Sequence, residues 1–326
     1  MITPFNNHLQ TVLVILDNEP LVDAKCDLKA IVFLPTAHLA NLYYLAYTAT
    51  HSDCSGVFVQ HSRQSQSKRE KTSTSFRDAS KAIMFATDVV ARGMDFPNVS
   101  LVVQVGVPDA KETYIHRIGR TGRAGKTGKS YIVLDEMENF VLYMLRPLPI
   151  RTIPVPKALR QTHCDVNAQI SKRGVISDEA KAQVYQSWLG YYKGHVKPMK
   201  ISLGELVHVA NVFAQEVMGC DDAPEIEARV VGKMGLKGVP GLRIVSGKKG
   251  GNVGGGRGGR ESVGGVGRSS ESVDSYGHAS SRVSQDGLGD SSASVRGASG
   301  ARGRGARGRG GARGGRGRGG RGRGGV

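Results

Sequence analysis

The sequence predicts an α/β fold: a parallel sheet flanked by helices, then a small mainly helical unit, then an Arg/Gly-rich tail. Three observations predict it. Five short apolar runs alternate with helical patterns, which implies a parallel sheet covered on both faces. Four prolines between Pro147 and Pro156 then break the periodicity and mark a boundary. From Gly247 onward large apolar residues almost vanish, and the chain closes on "ARGRGARGRGGARGGRGRGGRGRGGV". The expected divisions are a lead-in helix or linker over 1–24, a sheet domain over 25–150, a helical extension over 151–246 and a disordered tail over 247–326.

The five runs are "AIVFL" from Ala30, "GVFVQ" from Gly56, "KAIMFAT" from Lys81, "SLVVQVG" from Ser100 and "KSYIVL" from Lys129. Their continuous apolar character predicts strands buried on both faces. Between the first two, Leu39, Leu42, Tyr43 and Ala46 recur at helical spacing behind a Thr36 cap. Between the second and third runs lies the polar segment Arg63 to Asp78. Ahead of the fifth, "PDAKETYIHRIGR" supplies a helix start with Asp109 as cap and Glu112 three residues on. That helix places His116 and Arg120 on one face, with Arg123 just beyond its end.

In the extension, Ser177 caps a helix running to about Trp188 and ended by Gly190. Ser202 and Glu205 form a capping box before the stripe Leu206, Val209, Ala210, Phe213 and Val217. Trp188 shares a helical face with Val184 and is expected in the core. "GYYKGHVK" interleaves aromatic and basic residues, so Tyr191 and Tyr192 are open to either an RNA surface or the core.

Sixteen Lys and Arg against five Asp and Glu lie from Gly247 onward, so 11 of the 17 net positive charges sit in the tail. A compliant Arg/Gly chain predicts a sequence-tolerant, salt-sensitive RNA tether, with a solubilising linker as the plainer reading. Cys26, Cys54, Cys164 and Cys220 are dispersed with no C-x-x-C pair, which argues against zinc and against a disulfide framework. No run of eighteen apolar residues appears, and the opening "MITPFNNHLQTVLVILDNEP" lacks the basic flank of a signal peptide.

The densest chemistry lies in "YIHRIGRTGRAGKTGKS" at 114–130. A phosphate-cradling loop needs G-x-x-x-x-G-K-[ST], because that spacing lets backbone N–H groups wrap the phosphates. Arg120 stands five places before Gly125 and Arg123 five before Gly128, so both Gly-Lys-hydroxyl triplets miss. Arginine offers instead a rigid fork for anionic oxygens, and the spelling favours arginine fingers. The Lys126-Thr127 and Lys129-Ser130 pairs then read as a polar turn leading into the last strand.

These residues carry a resemblance to the DEAD-box ATP-dependent RNA helicases, and specifically to their second RecA-like domain, over about residues 25–150. "ATDVVARGMDFPNV" at 86–99 resembles their motif V, "HRIGRTGR" at 116–123 motif VI, and "IVFLPT" motif IV. "HSRQSQSKRE" resembles the neighbouring segment with its Gln-x-x-Arg pair. "YQSWLGYYKG" and "VGKMGLKGVPGLRIVS" resemble the helical extension of fungal mitochondrial intron-splicing members.

The resemblance implies that ATP sits between two RecA-like domains with RNA across both. By position, Arg120 and Arg123 would reach the γ-phosphate, Asp95 would hold the ribose, and Gly93 would line the nucleotide and RNA sides. His116 would couple to the acidic motif of the first domain, and Arg92 would order the interface. Thr87, Gln66 and Arg69 would lie along RNA phosphates. Mg²⁺ would be held by the first domain, which is absent from this sequence, and no metal ligand is assigned here. The sequence also contains no phosphate-cradling spelling and no strand-borne Asp-Glu-Ala-Asp. "SDEAK" at 177–181 is a helix cap with acids in its first turn.

The chain is thus expected to be the C-terminal half of a helicase, inactive alone in ATP turnover, with a freestanding RNA-binding or annealing protein as the alternative. A mitochondrial address follows from the extension's resemblance alone, with nucleus or cytoplasm as rivals.

Overall fold

The apolar runs become five parallel strands: β1 (Lys29–Phe33), β2 (Val57–Gln60), β3 (Ala82–Ala86), β4 (Leu101–Val105) and β5 (Lys129–Val133), ordered β2-β3-β1-β4-β5. The computed structural model describes residues 1–18, 28–91, 94–123, 125–155 and 174–246. The tail predicted from residue 247 lies outside them, as do Arg92, Gly93, Cys26 and Cys164. β1, β3 and β4 are buried throughout, as continuous apolar runs demand. β2 and β5 correct the expectation of double burial. They are the sheet edges, and residues Val57 to Val59 and Lys129 to Tyr131 stay partly or fully open.

Helices return the chain between strands. α1 (His8–Asn18) precedes the sheet, α2 (Ala37–Thr50) joins β1 to β2, α3 (Gln66–Asp78) joins β2 to β3, and α4 (Lys111–Ile118) joins β4 to β5. The Thr36 hydroxyl caps α2 by accepting from the Leu39 amide, as expected, and Ser65 caps α3 in the same way. Phe76 of α3 meets Phe58 and Phe96 edge-on at 6.0 and 5.1 Å, seating an otherwise polar helix on the sheet. Buried Lys29 closes the other end of α3, its Nζ donating to the Arg77 and Ala79 carbonyls, where the helix dipole favours a cation.

Asp109 does not cap α4. The helix starts one turn position later, at Lys111, with Ala110 in the cap place and no side-chain cap bond. It also ends earlier, at Ile118 with Gly119 closing it, so Arg120 stands beyond the helix and not on its face.

The chain start is tied to the sheet edge. The Met1 ammonium donates to the Ile132 carbonyl at 2.9 Å, Leu134 N–H to Met1 O at 3.0 Å, and Thr3 N–H to Leu134 O at 2.8 Å. α1 buries Leu9, Val12, Leu13, Ile15 and Leu16 in the main apolar cluster. Its burial also pushes the His8 imidazole down to about 4.

Beyond the sheet lie α5 (Phe140–Met144), α6 (Asp178–Lys193), α7 (Val196–Met199), α8 (Leu203–Glu216), α9 (Ala228–Met234), and the small parallel pair β6 (Ile226–Glu227) and β7 (Ile244–Val245). Ser177 caps α6, and the Ser202–Glu205 capping box starts α8, both as expected. α6 continues through Gly190 to Lys193 and is closed by Gly194, because burial of Leu189 and Tyr192 outweighs the small cost of a mid-helix glycine. Val209 is only partly buried, whereas Leu206, Ala210, Phe213 and Val217 are in the core.

Trp188 is 2 % exposed, stacked on Phe213 at 5.7 Å and edge-on to Phe5 at 5.3 Å. One apolar cluster therefore runs from Val32 and Val103 of the sheet through α2 to Trp188 and Phe213 of the extension. Tyr192 is buried, and its hydroxyl donates to Glu138 Oε1 at 2.9 Å. Tyr191 donates to the Val107 carbonyl. Both tyrosines thus belong to the packed junction. Gly106, at φ +75°, makes that junction possible, since a Cβ there would lie 2.9 Å from the Tyr192 hydroxyl.

Candidate nucleotide and nucleic-acid interface

The residues singled out from sequence fall into three places around α4. Thr87 follows the C-terminal end of β3 and is partly exposed, and the single 3-10 turn Asp88–Val90 comes next. Asp95 is itself exposed, on the stretch that leads to β4 and buries Phe96 and Val99. Arg120 and Arg123 lie just after α4, alongside that same stretch, because the Thr121 hydroxyl donates to the Val99 carbonyl at 2.5 Å. Arg120 donates to the Met94 carbonyl and, through Nε, to the His116 carbonyl at 3.3 Å. Arg123 Nη1 donates to Asp95 Oδ1, and its Nε to the Gly119 carbonyl at 2.7 Å. Burial and the neighbouring Arg123 pull the Arg120 pKa down, while Asp95 opposes them.

His116 is exposed on α4. Gln66 is exposed at the start of α3 and donates to Glu70 at 2.7 Å. Arg69 is half-buried one turn on, its Nε without a partner. The structure thus brings Arg120, Arg123 and Asp95 together and places Thr87, Gln66 and Arg69 on the β3 and α3 side. Arg92 and Gly93 fall outside the described residues.

Two residues absent from the sequence reading join these places. Arg117 is 2 % exposed and grips Asp88 with both arms, Nε to Oδ1 at 2.7 Å and Nη2 to Oδ2 at 2.9 Å. Its guanidinium also lies 5.5 Å from the Phe33 ring centroid. This fork fastens the turn after Thr87 to the helix that precedes the two half-buried arginines. The signal was present in the sequence: Arg117 sits next to His116 in the basic run, and Asp88 sits next to Thr87.

Two guanidinium groups beside an exposed carboxylate form a mixed-charge surface that has donors for anionic oxygens and an acceptor for a hydroxyl. Among the described residues no three His, Cys, Asp or Glu side chains gather to hold a metal, and no helix is long and apolar enough to cross a membrane.

Residues 8–125, which include this parallel sheet up to the paired arginines, match the family model described as helicase conserved C-terminal domain. The chain carries the C-terminal domain of a DEAD-box RNA helicase. It is 48% identical over 221 residues to the ATP-dependent RNA helicase MSS116, mitochondrial, of Phaeosphaeria nodorum, covering 68% of this chain and 40% of that protein. It is 40% identical over 229 residues to the corresponding protein of Aspergillus oryzae, covering 69% of this chain and 36% of the relative. DEAD-box ATP-dependent RNA helicase 26 of Arabidopsis thaliana is 39% identical over 243 residues, covering 74% of this chain and 27% of that protein. The chain therefore spans well under half the length of these relatives.

Among solved structures, Mss116p DEAD-box helicase domain 2 bound to an RNA duplex superposes with a TM-score of 0.60 at 22% identity, covering 75% of this chain and 96% of that one. Mss116p bound to ssRNA and AMP-PNP gives 0.59 at 23% identity, covering 75% and 49%. At these identities the superpositions establish the fold, RecA-like with its helical extension.

Proposed function

We propose that this chain supplies one wall of an ATP-dependent RNA helicase. Arg120 and Arg123 would meet the terminal phosphates of ATP, Asp95 the ribose, and Thr87, Gly93, Gln66 and Arg69 the RNA backbone. The observation that carries the reading is the gathering of Arg120, Arg123 and Asp95 on one exposed edge, fastened through Arg117 and Asp88 to the turn after Thr87. ATP supplies a phosphoryl group on whose transfer negative charge must be stabilised, and an arginine finger is worth about 10³–10⁵ in rate for that step. The role of this chain is to hold those cations and to withdraw or present them as the domain moves.

The opposite wall, with the phosphate-cradling loop and the acidic residues for Mg²⁺, belongs to a first RecA-like domain, which His116 and Arg92 would contact. Closure of the two walls on RNA would bend one strand and part a short duplex. Contacts to phosphate and sugar carry no base identity, so binding is sequence-tolerant. The Arg/Gly segment 247–326 would add a salt-sensitive tether. A mitochondrial setting is favoured by the two fungal relatives, both named as mitochondrial. A freestanding RNA-binding or annealing protein is the second reading, which the Arg120 and Arg123 pair and the Arg/Gly segment would serve without nucleotide.

The test measures single-stranded RNA binding and RNA-stimulated phosphate release with the 326-residue chain. The expected result is RNA binding that weakens steeply with salt, and no phosphate release. Turnover by the chain alone would refute the one-wall reading, and no RNA binding at low salt would refute both readings.

A further inference from the structure

Beneath α4 the sheet carries a polar residue for which nothing above accounts. Gln104, in β4, is fully buried, and neither its Nε2 nor its Oε1 has a partner. It is aligned with Phe33 of β1 on one side and Ile132 of β5 on the other, so its side chain shares their face of the sheet. Phe33 belongs to one apolar cluster and Ile132, with Tyr114 of α4, to another. Gln104 therefore lies on the seam between two apolar patches, under the helix that leads to the paired arginines.

The same seam holds a matching donor. Arg117 spends Nε and Nη2 on Asp88, while its Nη1 is buried without a partner and its guanidinium stands over the Phe33 ring. An acceptor with no donor and a donor with no acceptor thus flank one ring on one face. Buried polar groups left unpaired are costly, and native proteins leave few of them.

We propose that Gln104 is a positioning residue for the arginine helix: in solution its amide oxygen accepts from Arg117 Nη1, directly or across one water. The guanidinium is thereby held on three sides, by Asp88, Phe33 and Gln104. Its orientation fixes how the turn after Thr87 and the arginines after α4 are set relative to one another. This purpose rests on the function proposed above, but the contact itself is testable without nucleotide or RNA.

The experiment compares the full chain with Gln104→Leu, which keeps bulk and removes the acceptor, and Gln104→Glu, which keeps an acceptor. Side-chain ¹H–¹⁵N spectra of arginine-labelled protein report Arg117, assigned by its loss in Arg117→Lys. The expected result is a slowly exchanging Arg117 Nη signal in the parent and in Gln104→Glu, and its shift and fast exchange in Gln104→Leu. RNA affinity should fall about threefold to tenfold in Gln104→Leu, the change one ordinary hydrogen bond confers, and recover in Gln104→Glu. If Gln104→Leu instead raises the unfolding midpoint and leaves the Arg117 signal unmoved, the amide has no partner and the proposal is overturned. Should Gln104→Leu fail to fold, the parent decides: a nuclear Overhauser contact between Arg117 Nη protons and the Gln104 side chain supports the pairing, and fast Nη exchange overturns it. A parent chain that shows the Arg117 signal but binds no RNA would defeat the proposed function and leave the positioning contact standing.

Discussion

Arg123 is paired with Asp95, so the cation proposed for a terminal phosphate and the carboxylate proposed for a ribose neutralise one another in the ligand-free chain. The pair is exposed, the Asp95 side chain at 77% and that of Arg123 at 37%. A ligand that takes both groups must first separate them, which is inexpensive because water screens the pair on both sides.

Substituting Asp95 by alanine should therefore barely alter folding. Exposed ion pairs contribute roughly 0–1 kcal/mol, and Asp95→Ala should shift the unfolding free energy by no more than that. Urea denaturation of the two proteins checks it; a loss several times larger would mean that Asp95 holds the loop itself in place.

The Arg117–Asp88 fork should behave differently, and asymmetrically. Asp88→Ala leaves a buried guanidinium without its counterion, whereas Arg117→Met removes the buried charge and leaves a carboxylate whose side chain is 41% exposed and can hydrate. Breaking a fully buried pair costs about 3–5 kcal/mol, and the exposure of Asp88 reduces that here. Asp88→Ala should be the more destabilising of the two by on the order of 1–2 kcal/mol. Equal losses in urea melts would contradict the burial argument.

Two buried titrating groups give the stability a pH profile with a definite sign. Burial pushes Glu138 up to about 8, with the Asp135 backbone bond and Tyr192 opposing and the Asp135 charge adding to the rise. The folded chain thus keeps a proton that the unfolded chain releases near 4.5, and stability falls as pH rises between there and about 8. His8, pushed down to about 4 from 6.5, acts in the opposite sense, and stability rises with pH across that interval. The Glu138 slope is opposed by His8 and by the likewise lowered His38 below about 6.5, and by the burial-lowered Met1 ammonium towards 8, so the Glu138 decline, at most about 1.4 kcal/mol per pH unit, shows most clearly just above 6.5. Unfolding free energies of the parent and Glu138→Gln at pH 6.5, 7.25 and 8 are the measurement; the decline should vanish in the variant.

The extension should melt with the sheet. Trp188 is the chain's single tryptophan, and it is packed between Phe5 and Phe213 in a cluster that also includes Val32 and Val103. Its fluorescence and the far-ultraviolet circular dichroism should follow one denaturation curve, as for a cooperative unit. Trp188→Phe should cost about 1–3 kcal/mol, a core truncation smaller than loss of the whole ring. Separate transitions would show that the extension folds on its own.

Local rules carried far. The caps at Thr36, Ser177 and Ser202 and all five strands follow from spacing within a few residues, because hydrogen bonds to nearby amides and apolar continuity are written locally. At Gly190 and Tyr191 a distant residue overrides the local rule. Glycine at 190 looked like a helix stop, yet Tyr192 two residues on is held by Glu138 from the far side of residue 150. The sequence leaves Tyr191 open to surface or core, and the Val107 carbonyl, which accepts from its hydroxyl, decides for the core. The lead-in gave no hint that Met1 joins the edge of β5 or that Phe5 packs on Trp188.

The sequence by itself determined the class of the sheet and the helix caps, since these depend on side-chain type and short spacing, while the nucleotide roles proposed for Arg120, Arg123 and Asp95 come from the resemblance of their motifs. Only the tertiary structure decided that Arg117 faces inward to Asp88, that Arg123 rests on Asp95 and that Gln104 lies unpaired beneath α4. The two ion pairs join residues 28 or 29 positions apart, and Gln104 is set by the strands on either side of it. Their geometry is set by how a helix lies on a sheet, a balance of packing and desolvation that no short stretch of chain contains.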